Sequence, residues 1–240
     1  MEYYFEAYAN ILNKYNIPHT TLREEFENIL MSKDIEDIFA ELNEMGILQD
    51  ILPEFLPCIG LDQKNIHHSY TVDIHILKAV QYIAQNAYGK EQKLLLWTML
   101  LHDIGKPQAL KYNLRKRKKY RFRKHENYSA KLAGKILKRF EVDKQSRKII
   151  KTLVREHEFF RYIKLYNMDI DGNRMSTKHV FSLINKIGEH NFELLIECHK
   201  ADYTAQSNYW KEHKNVLNQR AQDMLTFYKK LKQANMKVDY

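Results

Sequence analysis

The chain has 240 residues, 44% of them hydrophobic, and a formal net charge of +9 at pH 7. Its two cysteines, Cys58 and Cys198, are far apart in sequence, which excludes a disulfide scaffold and a thiolate metal site and favours a reducing cytosol. The apolar run from Leu94 to Leu101 is too short to span a membrane, and the acidic N-terminus excludes a signal peptide. We therefore expect a soluble cytoplasmic protein.

Long stretches of helical periodicity and few chain breakers, seven Gly and four Pro, predict an all-α fold. Residues 1–64 form an N-terminal helical cap in this prediction, and residues 65–208 form the main domain. Within that domain we predict helices at about 73–87, 91–104, 126–140, 144–160, 176–187 and 190–208. Residues 209–240 are predicted to add one C-terminal helix that packs on the domain.

The segment LLLWTMLLHDIGKP is an apolar helix that ends in the pair His102 and Asp103. Gly105 and Pro107 follow, and this order predicts that the helix stops there. The pair therefore lies at the negative end of a helix dipole, which favours a cation, and imidazole with carboxylate suits a divalent metal. The alternative is a capped core helix in which the two side chains bond only each other.

Further polar residues lie on or beside buried helix faces, namely His75, His125, His157 and Asp202. His157, for example, continues the apolar stripe of Ile150 and Leu153 at helical spacing. Any one of these residues is more often a core group with an ordinary partner. Together with the His-Asp pair they predict a shared site.

The ordered set resembles the HD superfamily of metal-dependent phosphohydrolases, whose pattern is a His, a His-Asp pair and a distal Asp on separate helices. Within it the chain is most similar to the HD domains attached to tRNA nucleotidyltransferases and polynucleotide adenylyltransferases. The similarity is carried in order by ILPEFLPCIGLDQKNIHHSYTVDIH, LLHDIGKP, KHENYSAKLAGKILKRF, IIKTLVREH and LINKIGEHNFELLIECHKADYTAQ.

This resemblance implies an HD-domain helical fold and a divalent metal, with Mn, Ni, Fe, Zn and Mg not distinguished. The implied ligands are His75, His102, Asp103 and Asp202. His125 and His157 would hold a second metal, bind the phosphate or act as general acid, although the nucleotidyltransferase-linked group indicates a single metal. Lys106 matches the lysine of the HDxGK pattern and would neutralise phosphate charge; the alternative is a surface lysine.

The implied function is hydrolysis of a nucleotide phosphomonoester or cyclic phosphodiester, with nucleotide or RNA phosphate as substrate and no membrane partner. The alternative is a non-catalytic RNA-binding HD module. The first hundred residues lack the glycine-serine turn and two-aspartate strand of a nucleotidyltransferase head, so nucleotide addition is not implied. His67 and His68 are near enough to His75 in sequence to be phosphate-contacting candidates.

Residues 111–124 hold nine of the 39 basic residues and no acid, which leaves 30 basic residues against 30 acidic ones elsewhere. Aromatic and basic residues alternate near its end, and this period of two predicts a short β-hairpin at the rim of the site. We expect it to contact substrate or nucleic acid through Arg115, Lys116, Arg117, Lys118, Lys119, Arg121 and Arg123. The alternative is a solvated hairpin without a ligand.

Overall fold

The computed structural model describes residues 2–64, 69–117, 120–159, 177–206 and 214–233, and every regular element in these ranges is helical. The all-α prediction is therefore confirmed. The N-terminal helices are α1 (Glu2–Lys14), α2 (Leu22–Met31), α3 (Ile35–Glu44) and α4 (Ile47–Ile51), followed by a 3-10 helix (Pro53–Cys58). None of the helices in the described ranges has the length and apolar character needed to cross a membrane.

The remaining helices surround the candidate site. They are α5 (Val72–Asn86), α6 (Glu91–Leu101), α7 (Lys106–Arg117), α8 (His125–Arg139), α9 (Lys144–Glu156), α10 (Thr177–Ile187), α11 (Glu189–Thr204) and α12 (Lys214–Gln233). The predicted positions of the main-domain helices agree with these bounds to within a few residues. The division into 1–64, 65–208 and 209–240 stays a prediction.

The end of α6 differs from the prediction, because the helix stops at Leu101 and not at residue 104. His102 is its C-cap, and residues 102–105 form a short loop before the next helix. Pro107 does not terminate α6 but lies in the first turn of α7. Proline is tolerated there because the first turn of a helix needs no internal amide donor.

The predicted β-hairpin is wrong, because residues 111–117 belong to helix α7 and no strand occurs in the described ranges. The lysines, arginines and leucine of this stretch are good helix formers, and only the last few residues alternate with a period of two. Asn113 is buried and donates to Ala109 O at 2.8 Å and to Arg123 O at 3.3 Å, which ties the segment back onto the helix. Lys118, Lys119, His67 and His68 lie outside the described residues.

Helix α6 is the centre of the fold, since its residues from Leu95 to Leu101 are all buried. A helix that is apolar on all sides has to be surrounded by other elements, and α5, α8, α9 and α11 pack against it. Its C-terminal end, which carries His102, is consequently deep inside the protein.

The N-terminal helices dock on this core through aromatic rings. The ring of Phe26 on α2 lies 5.5 Å from that of Trp97 and 4.8 Å from that of Phe140. Next to it, Glu27 accepts from Trp97 Nε1 at 3.2 Å and from Lys93 Nζ at 2.6 Å. Burial of large rings stabilises this contact, and the buried carboxylate has its donors.

Gly105 allows the loop after α6 to lie against the first turn of α8. Its amide donates to Ser129 Oγ at 2.9 Å, and a Cβ on this residue would press on the Ser129 amide and come within 2.7 Å of His125 O. Backbone atoms cannot move aside as a flexible side chain can. Because Gly105 has no side chain, the loop can approach α8 closely enough to place Asp103 next to His125.

We expect Gly105→Ala to lower the free energy of unfolding by roughly 1–3 kcal/mol, because the added methyl group overpacks a backbone contact. Gly134→Ala in helix α8 is the matched control, since its Cβ would meet only the flexible side chain of Lys151, at 3.3 Å. Alanine favours a helix interior by about 1 kcal/mol over glycine, so the control should be neutral or stabilising. Urea denaturation of both variants measures the difference, and equal stabilities would contradict the prediction.

Candidate metal centre

Helix ends bring the predicted ligands together. His102 is the C-cap of α6, His157 is the C-cap of α9, and Asp202 lies in the last turn of α11. Three negative helix ends thus face one buried point, which favours a positive charge there. His75 lies in the first turn of α5 and His125 begins α8.

Each of the four histidines bonds a backbone carbonyl through Nδ1. The acceptors are Met99 O for His102 (2.6 Å), Val154 O for His157 (2.7 Å), Phe122 O for His125 (3.0 Å) and Ala205 O for His75 (3.2 Å). A carbonyl oxygen can only accept, so Nδ1 carries the ring proton in each neutral imidazole. The Nε2 atoms therefore direct lone pairs into the site, as metal-ligating histidines do.

The first group of donors combines two imidazoles with two carboxylates. The Nε2 atoms of His75 and His102 lie 3.2 Å apart, and Asp103 Oδ2 lies 3.2 Å and 3.3 Å from them, respectively. Asp202 Oδ1 is 3.1 Å from His75 Nε2 and 3.8 Å from His102 Nε2. These are the four residues that the sequence predicts as ligands.

The second group lies on the other oxygen of the same aspartate. Asp103 Oδ1 is 2.9 Å from His125 Nε2 and 3.7 Å from His157 Nε2, and the two nitrogens are 3.1 Å apart. Glu158 Oε1 lies 3.8 Å and 3.9 Å from the same two nitrogens. Asp103 therefore joins the two groups.

The donor set fits a divalent metal. Two donors held about 2.1 Å from one cation lie about 3.0–3.4 Å apart at ordinary coordination angles, close to the separations in the first group. Two neutral imidazoles cannot bond each other lone pair to lone pair, so a proton or a cation has to lie between them. Asp103 Oδ1 is also buried without a hydrogen-bond donor in the described part of the chain.

Protons take the place of a cation in the metal-free site. Burial disfavours the charged form of His75, but the Asp103 and Asp202 carboxylates outweigh this effect and raise the pKa of His75 to about 9. Burial likewise opposes protonation of His157, but Asp103 and Glu158 raise its pKa to about 9. Burial lowers the pKa of His102, so the first pair shares one proton.

Lys106 lies inside the site and not on the surface. Its Nζ is 2.5 Å from Asp103 Oδ2, donates to Gln63 Oε1 at 2.7 Å, and lies 5.6 Å from the centre of the Phe122 ring. Against the effect of burial, this ammonium group and the nearby imidazoles hold the pKa of Asp103 well below its usual range. Asp103 is therefore a carboxylate throughout the physiological range.

The basic segment 111–124 reaches the site through its aromatic residues. Phe122 covers Lys106, and the Tyr120 hydroxyl donates to Asp62 O while Lys64 Nζ lies 4.6 Å from the Tyr120 ring. This confirms that the end of the segment lies near the site. The predicted contacts Arg115, Lys116, Arg121 and Arg123 are exposed, and the side chain of Arg117 lies outside the described part.

The structure adds two residues that the sequence did not single out as ligands. Glu158 directly follows His157, and its side chain is only 11% exposed. His199, one helical turn before Asp202, is buried, and burial lowers its pKa to about 4. The sequence signal for Glu158 was its position next to His157, and the signal for His199 was its helical spacing of three residues from Asp202.

Comparison with known proteins agrees with this geometry. Residues 66–206 match the HD domain family, and because they are more than half of the 240 residues, the chain belongs to this family. Residues 16–59 match a family described as a probable RNA and SrmB-binding site of polymerase A.

One curated relative is a bifunctional uridylyltransferase/uridylyl-removing enzyme of Ruegeria pomeroyi. It is 30% identical over 138 residues, which cover 51% of this chain and 14% of the relative. The chain thus spans only a small part of that enzyme's length.

We expect the stability of the metal-free protein to fall as pH rises from about 6.5, the ordinary histidine pKa, to about 9. The folded-state pKa of His75 and of His157 is raised to about 9, so their contribution is complete below the unfolded value and is lost as pH rises through the folded one. Divalent metal should reverse the trend, since it competes with these protons and stabilises more at higher pH.

Thermal unfolding with chelator and with added manganese, nickel, iron or zinc measures both trends. Asp103→Ala should abolish metal uptake by elemental analysis, and His75→Gln should reduce the pH dependence. His190→Gln is the control, because its side chain is 58% exposed and belongs to neither donor group. A protein that none of these metals stabilises at any pH would contradict the metal site.

Proposed function

We propose that this protein is a metal-dependent phosphohydrolase that hydrolyses a nucleotide phosphomonoester or a cyclic phosphodiester. The observation that carries the proposal is the position of Asp103, whose two oxygens face two separate pairs of histidine Nε2 atoms. The residues that would hold the metal are His75, His102, Asp103 and Asp202. His125 and His157 would hold a second metal through Asp103, bind the phosphate, or act as general acid.

The mixed nitrogen and oxygen donors of this site suit first-row divalent metals. A divalent cation held there supplies Lewis-acid activation of a phosphoryl group and of water. The two buried aspartates balance positive charge, and the carbonyl bonds at Nδ1 keep the imidazoles oriented before any ligand arrives. This preorganisation is the contribution of the fold.

Lys106 is proposed to neutralise the negative charge that develops on the phosphoryl oxygens. Its ammonium is buried beside Asp103 and covered by Phe122, so its charge acts with little screening by water. If only the first donor group holds a metal, His125 and His157 remain to bind the phosphate or to protonate the leaving oxygen.

Several observations support a nucleotide or RNA substrate. The N-terminal match is to an RNA-binding family, and the named activity of the Ruegeria pomeroyi relative includes removal of a uridylyl group. The exposed arginines and lysines of the basic segment would attract such a substrate to the metal site.

We place the protein in the cytoplasm. Its two buried free thiols, Cys58 and Cys198, are consistent with a reducing compartment.

The second candidate is a non-catalytic RNA-binding module, and the match of residues 16–59 favours it. An RNA-binding surface alone does not require buried acids and imidazoles that face one another. Enzymatic turnover by metal-loaded protein separates the two candidates.

We expect metal-loaded protein to release phosphate from a nucleoside monophosphate or an aryl phosphate, or to open a 2′,3′-cyclic nucleotide. His102→Ala should reduce the rate by at least about 100-fold, because it removes a ligand required in the transition state. His190→Ala, at an exposed position, is the control, and circular dichroism checks that both variants fold. Metal-loaded parent protein that turns over none of these substrates would favour the RNA-binding module.

We expect replacement of Arg115, Lys116, Arg117, Lys118 and Lys119 by Ser to raise KM more than it lowers kcat. The segment would attract substrate without taking part in bond breaking, and the effect should weaken as salt screens the charges. Thermal stability should fall only slightly, since serine has a somewhat lower helix propensity than the arginines and lysine that it replaces in the last turn of α7. Steady-state kinetics at low and high salt measure the effect, and an unchanged KM would leave the segment without a role in binding.

A further inference from the structure

Helices α8, α9 and α10 enclose an open groove of about 700 Å³ that the metal site does not use. Most of its lining is basic, with Lys138, Lys144, Arg147, Lys148, Lys151 and Arg155 among the lining residues. On α9 these side chains follow helical spacing on a face that differs from the buried face of Leu153 and His157.

The groove's charge is not neutralised by the described part of the protein. Among the described lining residues the acidic one is Glu156, which lies 2.6 Å from Lys186 Nζ. None of the six basic residues has a carboxylate of a described residue within 4.0 Å. Residues 131–155 contain nine Lys and Arg against two acids. One of those acids, Asp143, is engaged at 2.9 Å by the backbone amides at the start of α9.

This arrangement opposes the stability of α9 in the absence of a ligand. Like charges three and four residues apart repel on a helix surface, as Lys144, Lys148 and Lys151 do on α9. An anion in the groove would relieve this repulsion.

The extent and composition of the groove indicate the kind of anion. From Lys144 to Arg155 the stripe runs about 17 Å along the helix axis, which is longer than a single phosphate needs. Within the described part of the chain no aromatic residue lines the groove, so that part offers bases no surface on which to stack. A phosphodiester backbone, recognised by charge and not by sequence, fits both features.

A membrane surface fits less well. Peripheral membrane binding combines basic residues with exposed apolar side chains that enter the lipid. Among the described residues the exposed large hydrophobic side chains are Leu22, Met45, Ile59, Tyr88, Tyr112 and Leu114, and none of them lies on α8, α9 or α10. The groove is also concave, unlike a lipid surface.

We propose that the groove between α8, α9 and α10 binds the sugar-phosphate backbone of RNA. It is a second nucleic-acid site, separate from the metal centre and from the basic segment 111–124. The groove runs along α9 toward the end that carries His157, so RNA bound there extends toward the metal centre. Binding in the groove does not depend on hydrolysis.

The test compares two triple variants that remove the same charge. The groove variant is Lys144→Gln with Lys148→Gln and Lys151→Gln. The control variant is Lys33→Gln with Lys90→Gln and Lys230→Gln, three exposed lysines outside the groove. Lysine and glutamine have similar helix propensity, and the control residues Lys33 and Lys90 lie outside helices, so both variants should fold with little change in Tm.

Fluorescence anisotropy of a labelled RNA hairpin, with chelator present to prevent turnover, gives the affinity at several salt concentrations. The groove variant should bind on the order of tenfold or more weakly. The slope of log affinity against log salt should fall by about two to three, because each replaced lysine leaves one phosphate with its counterion. The control variant should bind as the parent does.

The proposal is overturned if the two triple variants bind RNA equally, or if the parent protein shows no salt-dependent RNA binding. It is also overturned if only the serine replacement of residues 115–119 weakens binding. A parent protein that binds phosphatidylserine vesicles through these lysines, but not RNA, would assign the groove to a membrane instead.

Discussion

The carboxylate of Asp103 is the group on which the arrangement of the whole site depends. It is almost fully buried, and each of its oxygens lies close to a different pair of histidines, while Lys106 Nζ approaches to 2.5 Å. A buried charge in this position is tolerated because the Lys106 ammonium and the protonated imidazoles of His75 and His157 lie next to it. The same requirement explains the raised pKa of His75 and of His157, since the protons that these residues hold offset the two aspartates until a metal replaces them.

The residues that surround Asp103 lie mostly at the ends of helices and less often on their faces. His102 and His157 each cap a helix and each donate from Nδ1 to the carbonyl three residues earlier, which would otherwise lack a partner. The hydrogen bond from Nδ1 thus pairs a carbonyl at the helix end and also keeps the ring proton on Nδ1, so that Nε2 faces the site. Gly105 then lets the loop with Asp103 pack directly on the first turn of α8, so local backbone chemistry sets the spacing of the donors.

The sequence predicted those parts of the structure that depend on local periodicity and on a compact motif. Helix positions followed from apolar spacing, and His75, His102, Asp103 and Asp202 followed from their places on helices together with the family pattern. The hairpin prediction failed because a five-residue alternation was extended over a stretch whose residues favour helix and whose Asn113 bonds to the helix itself. Glu158 directly follows His157 in the sequence, but only the structure shows that its carboxylate lies near two imidazoles from different helices.

The net charge does not show where a protein is positive, because it is a sum over the chain that ignores position. Outside residues 111–124 basic and acidic residues are equal in number, yet residues 131–155 hold nine basic residues against two acids. Folding places balancing acids away from the groove, for example Glu27 beside Lys93. The basic residues of α9 face the groove without such partners in the described part of the chain. A segment set with equal numbers of acidic and basic residues can therefore still have a strongly positive surface where its acids pair with other helices.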